Sequence, residues 1–199
     1  MKNKQPLVVR ENDIRNMLLK RLWRSVKSPN TQVINELGLA HAKSRIDVAV
    51  INGSIHGYEI KSAKDSLARL PAQIEIYSKS LQKLTLVVAS RHVDRVVEMI
   101  PPWCGVSEVL TGSRGGITLK PLRKAERNPE VDVFVLAHLL WRNEVHGILV
   151  ERGAHQMTSR ASRKDLYQEL VEIVSESELV KLIKTSMAQR PIWREHQPL

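Results

Sequence analysis

The segment that most constrains the fold is residues 44–62, in which two apolar stretches flank Asn52-Gly53. Asn-Gly is a preferred centre of a tight hairpin turn, because both residues tolerate left-handed backbone angles. The stretches 44–52 and 55–62 are rich in Val and Ile, as strands are. We therefore predict two adjacent antiparallel strands here, joined by a short turn.

Two acids and a lysine in these strands, Asp47, Glu59 and Lys61, lie at about one level. Side chains alternate across a strand, so Glu59 and Lys61 share one face and Ile60 points to the other. Asp47 lies five residues before the turn and Glu59 six residues after it, which makes them near cross-strand partners. Two neighbouring carboxylates repel unless a cation lies between them, and Mg²⁺ prefers oxygen ligands. The pattern predicts a site for Mg²⁺, with Mn²⁺ as a substitute, beside an ammonium that could orient water or stabilise developing charge.

Helical periodicity surrounds the hairpin and dominates the last third of the chain. The predicted order is helix, three strands, helix, strand, then a short helix and two strands, which is an α/β core with a central mixed sheet flanked by helices. Residues 1–127 are expected to form this core, and residues 128–199 a helical appendage that could be helix-turn-helix-like. The predicted helices span 12–26, 67–81, 92–100, 130–141, 143–152, 162–174 and 175–188, and the remaining strands span 31–36, 84–89, 106–110 and 117–119.

The chain is strongly basic, with a formal net charge of +10. Residues 1–28 hold eight Lys or Arg against two acids, and residues 114–127 hold five against one. Such an excess suits a polyanionic partner. No apolar run approaches the roughly 20 residues that cross a bilayer, and the first ten residues lack a signal-peptide stretch. The single cysteine, Cys104, excludes an internal disulfide. A cytoplasmic protein without a membrane partner is expected.

The pattern of Asp47, a hairpin and Glu59-Ile60-Lys61 resembles the PD-(D/E)XK nuclease superfamily. The order helix, three strands, helix, strand resembles the common core of that superfamily. The resemblance covers about residues 12–105, and Ile46 stands where the superfamily label has proline. A closer resemblance, to small and mostly uncharacterised bacterial proteins within the superfamily, is carried by Glu36-Leu37-Gly38, Arg45-Ile46-Asp47, Tyr58-Glu59-Ile60-Lys61-Ser62 and Arg69-Leu70-Pro71-x-Gln73.

This resemblance implies a restriction-endonuclease-like core and a metal-dependent DNA endonuclease, which is a phosphodiester hydrolase. Asp47 and Glu59 would bind the metal, Glu36 would be a further acid at the metal, and Lys61 would be catalytic. Gln73-x-x-x-Tyr77 resembles a helix motif of the RecB-type branch, in which it lies beside the active site and contacts nucleic acid. Gln73 is therefore grouped with the catalytic residues, and the expected nucleic-acid contacts are Lys20, Arg24, Arg45, Tyr77, Arg114, Arg123 and Lys124.

Other interpretations stay open at this stage. The chain could be a non-catalytic nucleic-acid-binding protein on the same scaffold, or an adaptor that recruits a protein through its C-terminal helices. Asp47, Glu59 and Lys61 could form a salt-bridge ladder, although isolated charges on strands this apolar are costly. Glu36 could be an exposed acid, and Tyr77 a packing residue. The choice between DNA and RNA and the existence of a homodimer are left open.

Overall fold

The computed structural model describes residues 9–25, 31–113, 115–154 and 161–190. These residues form six strands and seven helices, and a 3-10 turn at Ser90–His92 precedes the third helix. The strands are β1 (Gln32–Leu39), β2 (Ser44–Ile51), β3 (Ile55–Lys61), β4 (Lys83–Ala89), β5 (Gly105–Thr111) and β6 (Ile117–Arg123). The helices are α1 (Glu11–Ser25), α2 (Leu70–Ser80), α3 (Val93–Met99), α4 (Val133–Ala137), α5 (Arg142–Glu151), α6 (Arg163–Ile173) and α7 (Glu176–Gln189).

The strands form one sheet in the order β1-β2-β3-β4-β5-β6. The first three strands and the last pair are antiparallel, whereas β3, β4 and β5 run parallel. The turn between β2 and β3 has Gly53 at φ 71°, as the Asn-Gly signal predicts. The expected α/β class with a mixed sheet is confirmed.

Helix α1 covers one face of the sheet. Its residues Ile14, Leu18 and Leu22 recur every four positions and are buried. They pack with residues from several strands, including Val48 and Ile60. Arg21 of the same helix donates to the carbonyl of Leu119 on β6 at 2.5 Å, which fixes α1 over that edge of the sheet.

The other face of the sheet packs against α2 and the C-terminal helices in one continuous apolar cluster. Tyr77 of α2 belongs to this cluster together with Leu136, Leu166 and Ile183 from α4, α6 and α7. The described helices after residue 127 therefore pack on the same core as the sheet. The assignment of residues 128–199 to a separate region, and its helix-turn-helix character, stay predictions.

Helix α4 is shorter than the predicted helix over 130–141. It begins after Asp132, whose carboxylate accepts the N–H groups of Phe134 and Val135. It ends by Ala137, and the next residues continue in tighter turns with hydrogen bonds three residues apart. His138 in these turns stacks on His41 from the β1–β2 turn with ring centroids 3.8 Å apart. That contact joins the sheet to the helical region.

Strand β6 forms one edge of the sheet and is longer than the predicted strand over 117–119. It continues to Arg123 and includes Pro121. Proline cannot donate to a ladder, so it is tolerated in an edge strand, where the N–H position can face away from the neighbouring strand. The pairing of β5 with β6 is also irregular between Val106 and Ser107.

Candidate functional site

The predicted cross-strand relation of Asp47 and Glu59 follows from the register of β2 and β3. Val48 pairs with Tyr58, and continuing that register sets Asp47 opposite Glu59. The regular pairing ends at Val48, and beyond it the Asp47 side chain accepts the backbone N–H of Ile60 at 2.7 Å. A side chain thus replaces a ladder hydrogen bond where the two strands part.

Glu59 lies at the centre of a buried polar network. Its Oε1 accepts from Lys61 Nζ at 2.7 Å and from Gln73 Nε2 at 2.9 Å, and its Oε2 is 2.8 Å from the Tyr77 hydroxyl. Lys61 also donates to Gln73 Oε1 at 3.0 Å. The side chains of Glu59 and Lys61 are 4% and 9% exposed. Both charges of the pair are therefore compensated within the fold, as buried charges require.

A second network surrounds Arg15 of α1, a residue for which the sequence predicted no role. Its Nη2 lies 2.6 Å from Glu11, 2.7 Å from Glu36 and 2.9 Å from Asp47. Its Nη1 donates to the carbonyl oxygen of Asp47 at 2.7 Å. The guanidinium therefore ties α1 to β1 and β2 at the level of the acids. The only local signal is Glu11 four residues earlier, a common helical pair.

Glu36 has an unusual backbone for a strand residue. Its φ is 55°, in the left-handed region that residues other than glycine rarely adopt. The β1–β2 pairing is regular on both sides of it, at Asn35 and Leu37. Glu36 contacts Arg15 and lies 3.5 Å from Arg45. The strained backbone at this position thus belongs to a residue whose side chain is ion-paired with Arg15 beside Glu11 and Asp47.

Burial and neighbouring charges shift the pKa values of Asp47, Arg15 and Tyr77. Burial, followed by the charge of Glu59, raises the pKa of Asp47 to about 7 in spite of the Ile60 N–H and Arg15. Burial lowers the pKa of Arg15, but its hydrogen bond with Glu11 and the charges of Asp47 and Glu36 raise it above the ordinary value. Burial, followed by the charge of Glu59, raises the pKa of the Tyr77 hydroxyl. Arg15 thus stays a cation, and Tyr77 stays a neutral phenol.

His56 on β3 predicts a measurable pH dependence of stability. Burial, followed by the charge of Lys83, lowers its pKa from 6.5 to about 4. Its Nε2 is 2.8 Å from the Thr85 hydroxyl. Between pH 6.5 and 4 the unfolded chain binds a proton that the folded chain does not, so acidification through this range lowers the free energy of unfolding. From pH 7 to pH 5 this loss should be about 2 kcal/mol.

Urea unfolding of the wild type and of His56→Gln at both pH values measures this contribution. The drop in the free energy of unfolding on going from pH 7 to pH 5 should be smaller in the variant by that amount. Asp47 acts in the opposite sense, because its raised pKa stabilises the fold as the pH falls from 7 toward 4. The variant keeps Asp47, so the comparison isolates His56. Equal drops in the two proteins would contradict the assignment.

The expected nucleic-acid contacts occupy different environments. Lys20 and Arg24 are exposed on α1, and Lys124 is exposed after β6. Arg45 is exposed and lies near Glu36. Tyr77 is fully buried, with its hydroxyl between Glu59 and the carbonyl of Arg45, so it packs the core. Arg123 donates to the carbonyls of Cys104 and Pro101 and holds β6 in place, and Arg114 lies outside the described residues.

The acids do not fit Mg²⁺ as they are arranged. One carboxylate oxygen from each of Glu11, Glu36 and Asp47 lies within 4.8 Å of the others, a spacing that could hold a cation. Arg15 already contacts all three of these residues. Both oxygens of Glu59 lie within hydrogen-bond distance of protein donors. An ion would have to displace Arg15, and Mg²⁺ binding stays a prediction.

Within the described residues, no helix is long and apolar enough to span a membrane.

The fold and this site define a basic α/β protein with a six-stranded mixed sheet whose central acids are paired with Arg15 and Lys61. The model of the family described as Bacteriophage P4 protein cII matches residues 4–195, and the chain belongs to that family. Protein cII of Enterobacteria phage P4 is 27% identical over 183 residues, which cover 92% of this chain and 68% of that protein. No solved structure matches the chain significantly.

The membership corrects the resemblance stated above. The expectation of a PD-(D/E)XK nuclease is wrong, because both the family model and the curated relative join the chain to phage P4 cII. The derived function of a magnesium-dependent DNA endonuclease, and with it the assignment as a hydrolase enzyme, is wrong for the same reason. The misleading signal was the spacing of Asp47, Glu59 and Lys61. In the fold Lys61 pairs with Glu59, and Asp47 pairs with Arg15 and accepts the N–H of Ile60.

Proposed function

We propose that the protein is a non-catalytic nucleic-acid-binding protein, with the exposed face of α1 as its main contact. One observation supports this most: the charges of Asp47, Glu59 and Lys61 are compensated within the fold, whereas Lys20 and Arg24 of α1 are presented to solvent. Arg15 and Lys61 contact acids within the fold. Lys20 and Arg24 are exposed, and they lie four residues apart, on one side of the helix.

The binding surface proposed here consists of Lys20, Arg21, Arg24 and Lys124, called the α1 basic surface below. All four side chains are exposed, and Arg21 anchors the helix to β6 through Leu119. The segment from residue 14 to 25 contains no acid. Three exposed cations on one helix, together with Lys124 after β6, suit the phosphates of a polynucleotide, which dominate the affinity of such complexes. Both DNA and RNA present this backbone.

A restriction-endonuclease-like scaffold remains a hypothesis, supported by the order helix, three strands, helix, strand. Binding through the α1 basic surface does not depend on it. The roles of Asp47, Glu59 and Gln73 in this proposal are structural, since they link β2, β3 and α2. A homodimer and a protein partner through the C-terminal helices remain further hypotheses.

The proposal predicts a salt-dependent loss of binding in the double variant Lys20→Gln/Arg24→Gln. Affinity for labelled duplex, single-stranded DNA and RNA is measured by fluorescence anisotropy across a salt series. Removing two phosphate contacts should weaken binding about tenfold or more and should reduce the slope of log affinity against log salt by about 2. The control is Lys164→Gln/Lys181→Gln, which removes the same charge from exposed positions on α6 and α7.

The control variant should bind like the wild type. Equal weakening in both variants would mean that net charge alone, and not α1, determines binding. A wild-type protein that binds none of the three nucleic acids at low salt would refute the proposal. The nucleic acids are recovered after incubation with MgCl₂ and are expected to be intact; strand cleavage by wild-type protein would contradict the non-catalytic assignment.

A further inference from the structure

A pocket of about 500 Å³ lies at the carboxyl ends of the parallel strands β3 and β4. The segment after β3 contributes Asp65 and Leu67, and the segment after β4 contributes Arg91 and His92. Its volume lies within the roughly 300–1,000 Å³ typical of small-molecule sites. Ligands of open α/β sheets bind preferentially outside the carboxyl ends of strands. The pocket lies on the α2 side of the sheet, opposite α1.

One side of the pocket is cationic. Arg91 and Arg95 are both exposed, and both line it. Arg91 donates to the carbonyl of Ala63 at 2.9 Å, which holds the two strand-end segments together. The Arg95 side chain makes no ion pair or hydrogen bond with any other described residue. Two guanidinium groups at the mouth of one pocket favour an anion with several oxygens.

His92 gives an independent indication of a ligand. The side chain lines the pocket and is only 5% exposed, yet its Nε2 has no hydrogen-bond partner within the part of the chain that the structure describes. Buried polar atoms of proteins are almost always paired, because an unpaired one loses its hydration without compensation. A phosphate oxygen would supply the missing partner.

The remaining lining gives the size and character of the rest of the ligand. Leu67, Pro71 and Met99 form an apolar wall, which suits a flat or apolar organic group. Asp65 is the acid of the lining, and its Oδ2 accepts the N–H of Ser62 at 2.6 Å. With two arginines against one carboxylate, the pocket keeps a positive excess.

We propose that this pocket binds a phosphate monoester of nucleoside size, with the phosphate on Arg91, Arg95 and His92 and the organic part against Leu67, Pro71 and Met99. The phosphate could be carried by a free nucleoside monophosphate or by the phosphorylated end of a strand, since both present the same group. This binding is separate from that of the α1 basic surface, because the two regions lie on opposite faces of the sheet.

The test is isothermal titration calorimetry of the full chain with AMP, adenosine and inorganic phosphate. The wild type should bind AMP with a submillimolar dissociation constant and adenosine about tenfold or more weakly. Arg95→Gln should weaken AMP binding about tenfold or more, and Arg91→Gln should also weaken it. Lys181→Gln, an exposed cation of α7, is the matched control and should bind AMP like the wild type. A thermal melt of each variant checks that it is folded.

Two oligonucleotides that differ only in a 5′-phosphate distinguish the sources of the ligand. If the 5′-phosphate raises the affinity for the oligonucleotide and Arg95→Gln removes this increase, the ligand is a strand end. If the 5′-phosphate leaves the affinity unchanged while AMP binds, the ligand is a free nucleotide. AMP that binds no better than adenosine, or folded Arg91→Gln and Arg95→Gln variants that bind AMP like the wild type, would overturn the proposal. Lys20→Gln/Arg24→Gln should bind AMP like the wild type. The AMP titration therefore tests the pocket independently of whether the α1 basic surface binds nucleic acid.

Discussion

Lys61→Ala should lower the free energy of unfolding by about 3–5 kcal/mol, because removing one member of a buried ion pair leaves the other charge uncompensated. The side chain of Glu59 is 4% exposed, and without Lys61 its carboxylate would keep only the neutral groups of Gln73 and Tyr77. For a chain of this length such a loss corresponds to a fall in Tm of roughly 10 °C. Urea and thermal unfolding measure both quantities.

The matched control is Lys64→Ala, an exposed lysine three residues later, whose removal should change stability by less than about 0.5 kcal/mol. The double variant Glu59→Gln/Lys61→Met tests the cause, since it removes the orphaned carboxylate while keeping the volume of the lysine stem. It should be clearly more stable than Lys61→Ala. If Lys61→Ala were as stable as Lys64→Ala, the ion pair would not be part of what holds β3 to α2.

Arg15→Ala should destabilise the fold by about 2–4 kcal/mol, the second large effect expected. Arg15 and Asp47 have side chains only 14% and 18% exposed, so most of the loss comes from this pair. Glu11 and Glu36 are nearly half exposed, and solvent screens their share to less than about 1 kcal/mol each. Arg24→Ala, which removes the same charge from an exposed position on the same helix, is the control and should change stability little.

The Arg15→Ala variant also reveals the cation preference of the acid cluster. Without the guanidinium, Glu11, Glu36 and Asp47 offer three carboxylate oxygens within 4.8 Å, an arrangement suited to Mg²⁺ or Mn²⁺. Millimolar MgCl₂ should therefore raise the Tm of Arg15→Ala, since a ligand that binds only the folded state stabilises it, and leave that of the wild type unchanged. A matching rise in the wild type would show that an ion fits beside Arg15 after all.

Residues close together in sequence were sufficient to predict the β2–β3 hairpin and the cross-strand positions of Asp47 and Glu59. The Asn52-Gly53 turn determined the register of β2 and β3, and strand alternation placed Glu59 and Lys61 on the face that meets α2. Ser162 and Ser175 accept from the N–H groups of Asp165 and Glu178, a capping arrangement that a serine followed three residues later by an acid favours. These features depend on residues close in sequence, which a single sequence records directly.

Long-range partners were beyond the reach of the same reasoning. Nothing local to Arg15 indicates that it meets Asp47, 32 residues away, so the acids looked like a site awaiting a metal ion. The sequence does not indicate the left-handed backbone at position 36, because the residue there is Glu and not Gly or Asn, which adopt this conformation most readily. The predicted helix over 130–141 was too long at both ends, because Asp132 caps the start of α4 and the chain continues in tighter turns after Ala137. The spacing of Asp47, Glu59 and Lys61 alone therefore could not distinguish a catalytic site from charges that compensate one another within the fold.

The proline in β6 has a consequence for how copies of this protein can meet. A sheet edge grows by exchanging main-chain hydrogen bonds with an incoming strand, and Pro121 has no N–H to give at the middle of this one. Lys120 beside it would bring like charges together if two such edges aligned. Main-chain pairing of two sheets along β6 is therefore unfavourable, and two copies that met at this edge would have to contact each other through side chains.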